Sequence, residues 1–167
     1  LAYQREVAEM LDLRDVRILR APDADVAARD PYGALHFSDT DACCTLRKTQ
    51  PLETALTGFS GWISGRKRYQ SRSRAGMRAF EIEEATGRIK VNPLLHWGPG
   101  EVSQYIDAHD LPRHPLVAQG YPSIGCAPCT SKVAPGEDPR SGRWRGQDKE
   151  ECGIHFVDGR AVRRGAA

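Results

Sequence analysis

Five cysteines have the most informative spacing in this 167-residue sequence. Cys43 and Cys44 are adjacent, Cys126 and Cys129 form a Cys-x-x-Cys motif, and Cys152 lies alone within Glu-Cys-Gly-Ile-His. An odd number of cysteines, in a chain without a visible secretory signal, disfavours a disulfide framework. Four metal ligands and one remaining thiol explain the count better.

The two cysteine pairs indicate a metal centre, and their spacing bears on its type. A Cys-x-x-Cys motif turns two thiolates onto one site, whereas the side chains of an adjacent pair point apart and suit one tetrahedral zinc ion poorly. A cubane cluster has four separate iron corners, so adjacent cysteines can each bind a different iron. The spacing therefore favours an iron–sulfur cluster over zinc. Buried core thiols are the alternative for Cys43 and Cys44. The Pro- and Gly-rich segment 111–145, which contains the second pair, also needs something to organise it.

Cys152 is either a reactive thiol or an inert cysteine near the end of the chain, and its spacing leaves both interpretations open. Lys149 and His155 are nearby groups that would favour the thiolate, whereas three acidic residues between 148 and 151 oppose it. A nucleophile next to a glycine, close to the end of the chain, would suit chemistry with two successive partners.

Positive charge is concentrated in short stretches. The net charge is only +2 and the isoelectric point is near 8.4, which is too mild to indicate nucleic-acid binding. Residues 66–78 nevertheless contain six basic residues and no acidic one. Clustered arginines suit a compact anion such as a nucleotide phosphate. No apolar run approaches the ~18 residues of a membrane span, so no membrane partner is predicted.

Local patterns predict a mixed α/β protein. Apolar residues at helical spacing predict a helix over 1–11 and another that begins at Pro99. A short apolar run predicts a strand at 16–19, and two runs around Thr86-Gly87 predict a hairpin of 80–84 with 89–91.

These motifs together resemble the bacterial assimilatory adenylyl-sulfate (APS) reductases, which belong with the phosphoadenylyl-sulfate (PAPS) reductases. PAPS-type relatives keep the final Cys-Gly motif but typically lack the four paired cysteines, so the resemblance implies the APS-using branch. It runs from Leu1 to His155 and rests on six motifs: Cys43-Cys44 with Arg47-Lys48, Gly65–Gln70, Lys90–Leu94, Gly120–Thr130, Gly142–Trp144 and Glu151–His155.

The resemblance implies an adenine-nucleotide α-hydrolase-like (Rossmann-like) α/β sheet with flanking helices, followed by a loop-rich C-terminal iron–sulfur region. It implies a partial APS reductase domain over 1–155 and a flexible tail over 156–167. The family's Ser-Gly-Gly-x-Asp-Ser type phosphate-binding loop, and the first strand that bears it, are not found in the sequence. We therefore expect an N-terminally truncated chain, with both elements before Leu1.

The resemblance also implies a mechanism. Cys152 would attack the substrate sulfur and release AMP, and thioredoxin or glutaredoxin would cleave the resulting S-sulfocysteine to give sulfite. Lys48 would lie between cluster and substrate and contact the substrate. The implied [4Fe-4S] ligands are Cys43, Cys44, Cys126 and Cys129, and the implied substrate contacts are Arg74, Arg140, Arg143 and His155.

Other functions stay open at this point. They are PAPS reduction, an ATP-dependent tRNA-thiolating enzyme with a cluster, and a non-catalytic zinc-stabilised domain. The thiolating enzyme would need an ATP-pyrophosphatase loop, and its function does not explain the Glu-Cys-Gly-Ile-His motif. The APS reductase interpretation predicts a cytoplasmic enzyme without nucleic-acid or membrane partners, and it leaves homo-oligomerisation open.

Overall fold

The computed structural model describes residues 2–154, which form two compact units. The helical unit comprises residues 2–18 and 99–145, and the sheet unit comprises residues 19–98 and 146–154. His155 and the predicted tail over 156–167 lie outside the described residues.

The sheet unit contains a three-stranded mixed sheet in the order β1-β3-β2, formed by β1 (Gly61–Ile63), β2 (Phe80–Ile82) and β3 (Ile89–Val91). β1 runs parallel to β3, whereas β2 and β3 are antiparallel. The predicted hairpin is confirmed, and its turn is closed by a hydrogen bond of 2.7 Å from the Gly87 amide to the Glu83 carbonyl.

Helices make up most of the remaining regular structure. The predicted first helix and the helix predicted to begin at Pro99 are both present. Proline is well suited to the first position of a helix, which explains the start at Pro99. No described helix is long and apolar enough to cross a membrane. The helical unit contains α1 (Ala2–Met10), α6 (Pro99–Ala108) and α7 (Pro115–Ala118). The sheet unit contains α2 (Asp23–Arg29), α3 (Leu35–Ser38), α4 (Thr40–Cys44) and α5 (Gln50–Ala55).

The strand predicted at 16–19 is wrong for this structure. These residues are irregular, and Val16, Ile18 and Leu19 are between 41% and 54% exposed. A strand is stabilised by backbone hydrogen bonds to a neighbour, and none of the three strands found within residues 2–154 pairs with this segment. The apolar pattern alone therefore does not make it a strand.

The interior of the sheet unit is unusually polar. It has few buried apolar side chains, and several charged side chains are buried to the same depth as these apolar ones. Buried apolar residues of this unit are Cys44, Leu46, Pro51, Met77 and Leu95. Buried polar residues are Asp30, Thr49, Ser64, Arg66, Arg74, Lys90, Asn92 and Glu151. Because a buried charge requires a partner, ion pairs and hydrogen bonds largely determine how this unit is held together.

Lys90 illustrates this construction at the centre of the sheet. It is paired in register with Trp62 on β1 and Glu81 on β2, so the three side chains share one face. The ammonium group lies 4.5 Å from the centre of the Trp62 ring, and the residue is only 2% exposed. Burial lowers the pKa of Lys90 to about 8, with repulsion from Arg66 adding to the effect and Glu81 opposing it.

This burial predicts a pH dependence of stability. The unfolded chain, with a lysine pKa near 10.5, binds more protons than the folded chain between pH 8 and pH 10.5, so stability rises with pH across that window. The pKa difference corresponds to at most about 3 kcal/mol. Urea midpoints measured from pH 7.5 to pH 10.5 should therefore rise in the unmodified protein and rise less in Lys90→Met. Equal slopes in the two proteins would contradict the assignment.

Candidate active site

The adjacent cysteines lie at the end of α4, which is capped by Asp39. The Asp39 carboxylate accepts a hydrogen bond of 2.9 Å from the Ala42 amide. Cys44 is 5% exposed, whereas Cys43 is partly exposed. The chain then widens into one π-helical turn, Thr45–Thr49, before α5 begins. Such turns frequently occur at functional sites, and this one contains Lys48.

Cys44 lies in an electrostatic cluster with groups that are distant in sequence. Burial raises the pKa of the Cys44 thiol to about 11, and the positive charges of Lys48 and Lys149 partly oppose this. The Cys152 and Cys43 sulfurs also act on the pKa of Cys44, raising it. Within the sheet unit, Lys48, Lys149, Cys43 and Cys152 therefore all lie within electrostatic range of Cys44.

The segment before Cys152 is attached to two parts of the sheet unit. Lys149 forms an ion pair with Asp41, a residue of α4, and Glu151 forms one with Arg74. The charge of Glu151, one of the three acidic residues near the thiol, is thus neutralised by the Arg74 guanidinium. Gly153 follows the cysteine with φ +79°, a backbone conformation that favours glycine.

The Cys-x-x-Cys motif forms a tight turn in the helical unit. Residues Ala127–Cys129 form one 3₁₀ turn, and the Cys129 amide donates a hydrogen bond of 3.0 Å to the Cys126 carbonyl. The Thr130 hydroxyl lies 2.9 Å from the same carbonyl and 3.1 Å from the Gly125 amide. Hydrogen bonds of the chain itself therefore organise the segment around these two thiols.

Two arginines flank this turn in the helical unit. The Arg143 amide donates to the Arg140 carbonyl at 2.9 Å, and Arg143 forms a β-bridge with Thr130. The Arg143 guanidinium stacks 4.4 Å from the centre of the Trp144 ring and donates to the Ile124 carbonyl. Its buried Nε has no hydrogen-bond partner within the described chain, so Arg143 retains donor capacity for an anion.

Gly142 allows this arrangement through a close backbone approach. A Cβ at this position would lie 2.2 Å from the Ser131 carbonyl oxygen, and the Ser131 amide hydrogen-bonds to the Gly142 carbonyl at 2.8 Å. The glycine in the Gly-Arg-Trp motif is therefore required for the two segments to meet.

The predicted site residues fall into separate sets. The sheet unit contains Cys43, Cys44, Lys48, Arg74 and Cys152, whereas the helical unit contains Cys126, Cys129, Arg140 and Arg143. None of the five cysteines forms a disulfide within the described residues. Within residues 2–154, no three His, Cys, Asp or Glu side chains are grouped as a ready metal site.

Sequence reasoning missed Glu151 and Asp41 as partners of the site. Residues 66–78 have six bases and no acid, while three acids lie between 148 and 151. The opposite charges of these two stretches are the sequence feature that could have predicted the Arg74–Glu151 pair.

Comparison with known proteins identifies the family of this chain. Residues 1–132 match the family model described as the phosphoadenosine phosphosulfate reductase domain. The chain belongs to this family. A crystal structure of phosphoadenylyl-sulfate (PAPS) reductase from Candida auris, in a phosphate complex, is similar, with 27% identity and a TM-score of 0.60. The similarity covers 79% of this chain and 64% of that one, and it supports a mixed α/β fold with a small sheet and helices.

Curated relatives of the family are more similar in sequence. The adenosine 5'-phosphosulfate reductase of Mesorhizobium japonicum is 47% identical over 156 residues, covering 93% of this chain and 61% of the relative. The enzyme of the same name from a Chelativorans species is 47% identical over 157 residues, covering 93% and 63%. The chain thus spans about three fifths of the length of these curated relatives.

Proposed function

We propose that this chain is part of an APS reductase that reduces adenylyl sulfate to sulfite and AMP in sulfate assimilation. The observation that carries the proposal is that Cys152 and Lys48 both act electrostatically on Cys44 within one compact unit. Two relatives at 47% identity are named adenosine 5'-phosphosulfate reductase, which supports APS as the substrate.

The proposed reaction has two steps. The Cys152 thiolate attacks the sulfur of APS, a sulfur–sulfur bond forms, the bond from sulfur to the phosphate oxygen breaks, and AMP leaves. A dithiol reductant of the thioredoxin or glutaredoxin type then attacks the Cys152 sulfur and releases sulfite. Its second thiol resolves the mixed disulfide, so the reductant supplies two electrons and Cys152 is restored.

Cationic side chains stabilise the negative charge that develops on the departing phosphate. We assign substrate contacts to Lys48, Arg140, Arg143 and His155. Arg74, also expected to contact the substrate, has its guanidinium nitrogens bound by Glu151 and Gln70 within the chain. Arg143 is supported by its unsatisfied buried Nε. Lys48 is supported by its electrostatic influence on Cys44.

The paired thiols fit an iron–sulfur cluster by their chemistry. None of the four is in a disulfide within the described residues, and they form two sequence pairs, one at the end of a helix and one at a 3₁₀ turn. We propose that Cys43, Cys44, Cys126 and Cys129 hold a [4Fe-4S] cluster, as soft thiolates do. When bound, the cluster would tune the electrostatics around Lys48 rather than supply electrons for the reaction.

We propose that the enzyme is cytoplasmic. We also propose that residues 1–155 form part of an APS reductase domain with a Rossmann-like sheet. A small-molecule nucleotide and a protein reductant are its partners, and the mild net charge of +2 gives no support for nucleic acid.

Competition between APS and PAPS tests the substrate. The full-length protein, supplied with reduced thioredoxin and an equal mixture of both nucleotides, should form AMP and sulfite with a strong preference for APS. Equal turnover of the two nucleotides would overturn the assignment to APS.

A further inference from the structure

The residue before Cys152 is held by a buried two-point ion pair. Arg74 Nε lies 2.5 Å from Glu151 Oε1, and the Arg74 NH2 group lies 2.8 Å from Oε2. The two side chains are 9% and 5% exposed. The third guanidinium nitrogen donates to the Gln70 side chain, and the Ser71 hydroxyl donates to Glu151 at 3.2 Å.

Such a pair fixes orientation as well as distance. Two parallel hydrogen bonds hold the planes of the guanidinium and the carboxylate together, which a lysine cannot reproduce. Because both groups are buried, removing one leaves an uncompensated charge in the interior. The neighbouring contacts add to the docking, since the Glu150 carboxylate accepts from the Ser73 amide at 3.4 Å.

The position of Glu151 transmits this constraint to the thiol. Adjacent Cα atoms are about 3.8 Å apart across a trans peptide, so fixing Glu151 restricts where Cys152 can lie. Gly153, with φ +79°, follows directly. Cys152 thus lies between a docked residue and a glycine turn.

We propose that Glu151 is a positioning residue, and that Arg74 acts through Glu151 to hold Cys152 in place for attack on the substrate. This inference rests on the proposed function, in which Cys152 is the nucleophile. It assigns Arg74 a partner within the chain in place of the substrate contact that the resemblance implied.

Hydrogen exchange without substrate tests the docking independently of the reaction. In the full-length protein, Arg74→Lys and Glu151→Gln should each increase amide exchange of the peptide over 148–154 by about tenfold or more. The exposed two-point pair of Arg17 with Asp15 is a matched control, because Arg17→Lys should leave that peptide unchanged. Unaltered exchange in both site variants would overturn the proposal.

Single-turnover kinetics with APS test the positioning role. Glu151→Gln, with its folding checked by thermal unfolding, should lower the rate of AMP release about tenfold or more and change the APS concentration for half-maximal rate less than twofold. The reversed pair, Arg74→Glu with Glu151→Arg, should recover part of the rate lost by either single charge reversal.

Two results separate this inference from the function it rests on. A higher APS requirement in Arg74→Lys alone, without recovery in the reversed pair, would assign Arg74 to the substrate and overturn the positioning role. If the unmodified full-length protein released no AMP from APS, the proposed function would fail, whereas the exchange experiment would still decide the docking.

Discussion

Cys152→Ser is expected to abolish thioredoxin-dependent sulfite formation from APS. A serine hydroxyl is a far weaker nucleophile than a thiolate and cannot form the S-sulfo intermediate. We expect a loss of at least about a thousandfold in the rate of AMP release by the full-length protein, measured by chromatography of the nucleotides.

The same variant should keep its iron and its visible colour, because Cys152 is not among the proposed ligands. Retained iron with lost turnover would separate the roles of the five thiols. Sulfite formation by Cys152→Ser at a rate near that of the unmodified protein would show that another group is the nucleophile.

Cys126→Ser is expected to remove the cluster. A serine oxygen is a hard ligand that replaces a soft thiolate poorly, so iron should fall from about four atoms per chain to less than about one. Iron and acid-labile sulfide, measured with the visible spectrum, would report this loss.

The turn that contains Cys126 should survive this change. Its hydrogen bonds run from the Cys129 amide and the Thr130 hydroxyl to the Cys126 carbonyl, and none uses the thiol. Amide hydrogen exchange of this turn in Cys126→Ser should therefore stay close to that of the unmodified protein, even though most of the iron is lost. Unchanged iron in Cys126→Ser, or stoichiometric zinc in the unmodified protein, would contradict the cluster.

Local sequence patterns predicted the elements that depend on local physics. The helix beginning at Pro99 and the hairpin around Thr86-Gly87 follow from a proline start, a glycine turn and short-range periodicity. The strand predicted at 16–19 was wrong because a strand depends on pairing with a distant segment, which an apolar run does not specify.

The site was predictable in its residue types but not in its internal contacts. Motif resemblance singled out Cys152 and the paired cysteines, and in the sheet unit Cys152 acts electrostatically on Cys44. The Arg74–Glu151 pair joins residues 77 positions apart, and many acids could have partnered the basic run over 66–78. Only the fold selects the partner, since its packing decides which charges become buried together.

The most direct test of the account is to incubate the reduced full-length protein with APS in the absence of any added reductant. The proposed mechanism predicts one AMP released per active chain and one sulfonate group added to the peptide that contains Cys152, detected by mass spectrometry. Adding thioredoxin should then remove the group as sulfite. AMP release without modification of that peptide, or modification at a different residue, would contradict the account.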